Sequence, residues 1–301
     1  MTTPLPLPDG LSERPLVPAD AAAVTAVMAA QELHDIGEVV IEEADIVAEW
    51  QSPGYDVPGS TVGVFDGETL VAYAEVSHGE RGDAAVHPDH RGRGLGTALA
   101  RWMQERAREK GSSRIGMPVP VDSPGDRLLE SLGYFVRWNS WVLRLPAGTA
   151  VPQRDLPEGY AVGAASPDQY QQCWTVQEDA FLEWSDRDRQ SFEQWRAWTD
   201  LRPGFEPWHL RVVTDPAGEV VAVAVLQIHP PCAYIARLAT RRDQRGRGLA
   251  QALLVDAFAA GAAHGTTVCE LSTDSRTGAL GLYEKVGMVV TSNWVNRAID
   301  V

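Results

Sequence analysis

The chain has 301 residues, of which 44% are hydrophobic, and a formal net charge of −15. That length suits two domains near 150 residues better than one core, and the composition is that of a globular chain rather than a disordered or fibrous one. The acidic balance excludes sequence-independent nucleic-acid binding, which rests on Lys and Arg neutralising phosphates, and favours solubility and cationic small-molecule partners.

The amino terminus, MTTPLPLPDG, has neither a basic nor an apolar leader region, so no targeting segment is expected. The longest apolar runs, EVVAVAVLQI and ALLVDAFAAGAA, fall short of the roughly 18 to 20 residues a membrane span requires. A cytoplasmic protein without membrane contact is expected. Residues Ala19–Gln51 read as helical. They precede two β-type runs, STVGVF and LVAYAEV, joined by the hairpin signal DGE. A short strand ends near Val86, a Gly-rich turn follows in HRGRGLG from His90, and a helix starts about Leu95. Leu95, Leu99, Trp102 and Met103 form its apolar face, while Arg101, Glu105 and Arg108 face water. Another strand, a helix carrying LLESLGYF and a final strand complete this half.

The Pro- and Gly-rich stretch LPAGTAVPQRDLPEG lacks apolar periodicity and reads as a linker. Beyond it the order repeats. Pro167–Leu201 is helical, WHLRVVT and EVVAVAVLQI are strands about the turn DPAGE, and QRGRGLA from Gln244 opens the next helix. The Arg/Gly phrase and the LLESLGYF/LYEKVGMV pair each recur 154 positions apart, and LPDG at 7–10 answers LPEG at 156–159. Ordered recurrence of three landmarks indicates a duplicated domain. The expected division is 1–146, a linker at 147–156, and 157–301.

Cys173, Cys232 and Cys269 are far apart, with no C-x-x-C and no clustered histidines. Three small buried hydrophobes are therefore expected, not a disulfide framework or a metal site. In each Gly-rich turn, glycines let the backbone approach a ligand closely. The helix start adds unpaired N–H groups and partial positive charge, which favour an anion such as phosphate. Arg91 and Arg93 would screen that charge. Taken alone, such a pattern is more often a structural turn than a phosphate site. It is neither G-x-x-x-x-G-K-[ST] nor G-x-G-x-x-G before a ribose-binding acid.

R-x-x-G-x-G/A at a strand-to-helix turn, followed by ALGLYEKVGM, resembles the GNAT superfamily of acyl-CoA-dependent N-acetyltransferases, and the tandem order is most similar to its mycothiol-synthase-like branch. The likeness covers both halves. It implies an α/β fold of two tandem GNAT-like domains, each a mixed, mostly antiparallel sheet flanked by helices. It also implies that Arg245, Gly246, Arg247, Gly248, Leu249 and Ala250 seat the acyl-CoA pyrophosphate, as Arg91, Gly92, Arg93, Gly94, Leu95 and Gly96 would in the first copy. Leu238, Ala239 and Thr240, with Ala85 and Val86 in the first copy, would flank the pantetheine arm. Ser275 stands where the family usually has an asparagine.

An alkylammonium with a pKa near 10.4 leaves only about one molecule in a thousand neutral near pH 7.5, a shortfall of about 4 kcal/mol. A general base answers it, N–H donors stabilise the oxyanion, and the departing thiolate needs a proton. The resemblance places the proton-donating tyrosine at Tyr283. The first copy has Leu129 there, and Tyr134 points elsewhere. Glu270, in CELSTDS, matches the base of ribosomal-protein alanine acetyltransferases. At the position where mycothiol synthases have a glutamate stands Tyr234, and His229 is a further candidate. In EDAFLEWSDRDRQSFEQWRAW, Glu183 and Trp184 are expected to meet a cationic acceptor, with Glu178, Asp179 and Asp186 nearby, while Trp195 and Trp198 read as core. The implied activity is acetyl transfer from acetyl-CoA to the primary amine of a small molecule by the second domain, without a metal. The first domain would bind acyl-CoA or merely pack. A mycothiol-synthase-type or protein N-terminal acetyltransferase, and an acyl-CoA sensor without turnover, stay open.

Overall fold

The computed structural model describes residues 4–77, 79–149, 151–152, 154–185 and 187–301. Two compact units result, and the division departs from the expected boundary near 146. The first comprises 1–139 with 293–301, and the second 140–292.

In the first unit, β1 (Leu11–Arg14) precedes α1 (Ala21–Asp35), α2 (Glu43–Trp50) and α3 (Val57–Ser60). Then come β2 (Thr61–Asp66), β3 (Thr69–Ser77), β4 (Arg81–Val86), α4 (Leu95–Glu109), β5 (Arg114–Pro120), α5 (Pro124–Ser131) and the start of β6 (Phe135–Leu145). Strands β1 to β4 pair antiparallel in sequence order. Strands β4 and β5 are parallel, with Arg81 opposite Gly116.

The second unit repeats this with β7 (Ala161–Ala164), α6 (Tyr170–Phe181), α7 (Phe192–Trp198), β8 (Leu210–Thr214) and β9 (Val220–His229). It continues with β10 (Cys232–Thr240), α8 (Leu249–Ala263), β11 (Val268–Asp274), α9 (Leu280–Lys285) and the start of β12 (Val289–Asp300). Strands β7 to β10 are antiparallel neighbours, and β10 runs parallel to β11.

The boundary at 146 fails because two strands do not stop where the composition changes. The later part of β6, Ser140–Leu145, pairs with β11, and Leu143 is fully buried in the second unit's core. The later part of β12, Trp294–Asp300, pairs with β5, and Val295 is buried in the first unit's core. Within the expected linker, Val151 and Leu156 pack on the second unit's core.

Helices α4 and α8 hold the expected apolar faces. Leu95, Leu99, Trp102 and Met103 are buried in one, and Leu249, Leu253, Leu254 and Phe258 in the other. Each such side chain removed from water contributes about 2 kcal/mol. Strand β9 has both faces covered and is buried from Val220 to Leu226, so its sequence shows no polar alternation. No helix among the described residues is long and apolar enough to cross a membrane.

Candidate active site

Both Gly-rich turns are built alike. Gly92 and Gly94 have φ of 74° and 85°, and Gly246 and Gly248 have 77° and 82°. Side chains with a Cβ avoid this left-handed region. Gly94 and Gly248 are the N-caps, and the first helical bonds are closed by Ala98 N to Gly94 O and Ala252 N to Gly248 O, each 3.0 Å. The amides before them have no helical acceptor, so they are free to face an anion. Open space surrounds Gly92, Gly94 and Gly246 where a Cβ would stand.

The leading arginines are each engaged by a carboxylate. Arg91 donates two hydrogen bonds to Asp35, at 2.6 and 2.9 Å. Arg245 donates two to Glu183, at 2.8 and 2.7 Å, and one to the Thr240 carbonyl at 3.1 Å. Each is a bidentate clamp fastening the turn to the preceding helical region. Glu183, expected to meet the acceptor, is engaged in the second of these clamps, and the guanidinium beside it lowers its carboxyl pKa.

Sequence reasoning missed Arg154. It lies in the presumed linker, yet its guanidinium covers Gly248 so closely that a Cβ there would overlap it. A contact between residues 94 apart in an irregular stretch leaves no periodic signal. In the first unit, Val86 donates its N–H to the Gln31 side chain at 3.0 Å, so one amide expected to flank pantetheine is engaged. A Cβ on Gly96 would meet Leu128.

In the second unit, β10 pairs with β11 from Cys232–Val268 to Ile235–Leu271 and then parts from it. A register shift between Ile235 and Arg237 bends β10 at that point. Leu238, Ala239 and Thr240 continue alongside β9 alone, while Ser272–Asp274 continue alongside β6. A slot opens between the diverging edges.

Tyr283, on α9, is 7% exposed and packs in the core with Leu271 and Val286. Burial pushes its phenol up to about 12, against a hydrogen bond with Thr273 that lowers it. Thr273 also shares a 2.9 Å hydrogen bond with Thr277. Because strand side chains alternate, Leu271 and Thr273 share Tyr283's face of β11, and Glu270 and Ser272 take the other. Glu270 is ion-paired with Arg144, its cross-strand neighbour, and accepts from Cys232 Sγ at 3.7 Å. Tyr234 donates to Ser272 Oγ at 2.7 Å on that face, and its ring lies 6.3 Å from that of His229. The two expected proton-transfer groups thus lie against opposite faces of β11, with Glu270 in the part still paired with β10. Burial raises the thiols of Cys232 and Cys269 to about 12 and about 11, and all three cysteines are free.

The acids around Trp184 are engaged. Glu178, fully buried, accepts two 2.8 Å bonds from Arg187, and Asp179 pairs with Arg189. Asp186 lies outside the described residues. Trp184 packs on Phe181 with ring centres 5.2 Å apart, and the Arg276 guanidinium lies 4.8 Å from its ring centre. A protein cation already sits against the aromatic face expected to receive the acceptor. Trp195 is core, 1% exposed, and donates to Gln177 at 3.1 Å, while Trp198 is half-buried. Ser275 is exposed in the turn after β11. In the first unit, Leu129 occupies the place of Tyr283 and is buried. Tyr134 is turned toward α4, at 3.4 Å from the Ala100 carbonyl and 3.3 Å from the Gln104 amide.

Two copies of a splayed mixed sheet, each with an amide-lined glycine turn beside the splay, define an acyltransferase class. The chain belongs to the Acetyltransferase (GNAT) family, whose model matches residues 29–134 and 170–288. It is 30% identical over 251 residues to a mycothiol acetyltransferase of Salinispora arenicola, covering 78% of each chain. It is 34% identical over 161 residues to one from Frankia casuarinae, covering 51% of this chain and 43% of that one. Among solved structures, a GCN5-related N-acetyltransferase from Sphaerobacter thermophilus aligns with a TM-score of 0.73 at 28% identity, covering 98% of this chain and 96% of that one. A tandem GNAT protein from the clavulanic acid biosynthesis pathway aligns with a TM-score of 0.73 at 19% identity, covering 96% of this chain and 98% of that one, and supports the tandem fold.

Proposed function

We propose that the second unit transfers an acetyl group from acetyl-CoA directly to the primary amine of a small molecule. The observation that carries this reading is the slot between β10 and β11, with the buried Tyr283 phenol on one wall and at one end an amide-lined turn that is clear at Gly246 and covered by Arg154 at Gly248. The turn suits a diphosphate because Gly246 leaves its approach clear. Arg154, lying against Gly248, would supply the positive charge that Arg245, engaged with Glu183, does not. When bound, acetyl-CoA supplies the activated acyl group.

The chain's own groups would then divide the proton transfers between the two faces. The acceptor approaches on the face of Glu270, which takes its proton directly or through water. Arg144 holds that carboxylate in place. On the opposite face, Tyr283 protonates the departing sulfur. A phenol at about 12 is a poor donor to an ordinary thiolate near 8.5. For this step the sulfur must leave into a desolvated slot, which raises its own pKa toward that of the phenol. Shared desolvation brings donor and acceptor close to balance.

The first unit keeps the turn but has Leu129 in place of the phenol, and in this reading it performs no transfer. The relatives named mycothiol acetyltransferase favour a second reading in which the acceptor is of the mycothiol-synthase type, although Tyr234 replaces the glutamate of that branch. Thiol release from acetyl-CoA, measured against a panel of amines that includes aminosugars and a peptide amino terminus, tests both readings. Turnover on a small amine supports the proposal. Turnover on the peptide alone makes it a protein acetyltransferase. Acetyl-CoA binding without turnover on any amine makes it a sensor.

A further inference from the structure

The first unit carries a buried polar site on the face of β3 and β4 that packs against α1 and α2. Strand alternation puts Tyr73, Glu75 and Ser77 on this face, and the register sets Asp83 opposite Glu75 and Arg81 opposite Ser77. Trp50 Nε1 and the Tyr55 hydroxyl donate to Glu75, at 3.0 and 3.3 Å. Both reach the same oxygen, Oε2, and among the described residues no hydrogen bond reaches Oε1. Ser77 is 1% exposed, and its Oγ has no hydrogen-bond partner. A buried hydroxyl left in that state is destabilising, and it lies two residues along the strand from Glu75. Glu49, 9% exposed, adds a third carboxylate.

The local cations offset these three acids only in part, the charge of Arg81 lowering both the Glu75 and the Asp83 carboxyls. Arg81 lies 3.8 Å from Asp83 and is more than half exposed, and Lys110 donates to Ser60 Oγ at 2.7 Å and the Val76 carbonyl at 2.9 Å. Burial, with Glu49 nearby, raises the Glu75 carboxyl to about 7, and burial also raises that of Asp83. Among the described residues these acids do not converge closely enough to hold a metal ion. The atoms left to be satisfied are instead spread along two strands, at about 3.4 Å per residue.

We propose that Glu75, Ser77 and Asp83 bind a small organic cation, a protonated amine that carries a second N–H or O–H donor. The ammonium lies between the Glu75 and Asp83 carboxylates, and the second group satisfies Ser77 Oγ. Trp50 and Tyr55 hold Glu75 in place, and the exposed Arg81 marks the open end. This site is independent of any acyl transfer in the second unit.

Calorimetric titration of the full chain with ethanolamine, 1,4-diaminobutane and glucosamine tests it, with tetramethylammonium as a cation lacking donors. At least one of the three amines is expected to bind saturably and tetramethylammonium not to bind. Glu75→Gln and Ser77→Ala should each weaken that binding by about tenfold or more, and Tyr283→Phe should leave it unchanged. Ser77→Ala removes an unsatisfied group, so its melting temperature should equal or exceed that of the parent, which separates lost binding from lost folding. Should Glu75→Gln not fold, Ser77→Ala decides alone. No saturable binding of any of the three amines, or binding that persists unchanged in Ser77→Ala, overturns the proposal.

Discussion

Tyr283 and Glu270 lie 13 residues apart in sequence and on opposite faces of one strand, so their roles can be separated by experiment. Tyr283→Phe keeps the ring in its core but removes the proton, and kcat should fall by about a hundredfold to ten-thousandfold with little change in KM for acetyl-CoA. An unchanged rate removes the assigned acid. Replacing Arg154 by Ala should raise the Kd for acetyl-CoA in equilibrium titration and leave kcat nearly untouched. A tighter Kd would mean that this side chain blocks the turn instead of serving it. Glu75 has a pH signature of its own. Its carboxyl titrates near 7 when folded and near 4.5 in the ordinary state, so below pH 4.5 both states are protonated and burial costs nothing. Above about pH 7 both are ionised, and the folded state carries the full cost, about 3 kcal/mol at 1.36 per unit. Its neighbours Glu49 and Asp83 deepen that cost, and Arg81 and the Trp50 N–H offset it. Denaturant melts of the Glu75→Gln variant should therefore show a gain over the parent at pH 8 that fades by pH 5.

At the level of the elements, the turns and helices were the most legible part of the sequence. Leu95, Leu99, Trp102 and Met103 announced α4 by their spacing, and both glycine turns fall where the Arg/Gly phrase puts them. The short strands β1 and β7 gave no such signal, since four residues with half-exposed side chains carry too little alternation to stand out. The partners of the leading arginines were equally hidden. Glu183 and Asp35 lie 62 and 56 residues from the arginines they bind, and charge spacing over such distances says nothing about contact. The clamp has a measurable consequence. Glu183→Ala frees Arg245 and loosens the turn, so KM for acetyl-CoA should rise while kcat on saturating donor holds. Gly248→Ala should be harsher, because a left-handed φ costs a Cβ-bearing residue about 1–2 kcal/mol and the new methyl also displaces Arg154.

For the whole molecule, the duplication was visible in three repeated phrases, but the path of the chain was not. A Pro- and Gly-rich stretch marks the loss of regular structure, whereas the units divide inside two unbroken strands. Nothing in the local pattern of Trp294–Asp300 says that these residues complete a sheet begun near the amino terminus. Arg297 makes that attachment specific. It is 9% exposed and reaches Asp126 at 2.7 Å, Glu130 at 3.2 Å and the Tyr134 carbonyl at 3.3 Å. Asp126→Ala should cost about 3 kcal/mol or more, because it strips a buried guanidinium of its closest partner. Deleting 293–301 should unfold the first unit in preference to the second. Hydrogen exchange on the shortened chain would then show lost protection in β5 and retained protection in β9, and the reverse pattern would contradict the assigned division.

The position of the donor relative to the phenol decides whether Tyr283 can act. A crystal structure of the chain grown with acetyl-CoA tests it most directly. The account requires the diphosphate against the amides of residues 246–250, with the sulfur in the slot between β10 and β11 and within hydrogen-bond reach of the Tyr283 hydroxyl. A donor seated elsewhere, or a sulfur remote from that hydroxyl, would contradict it.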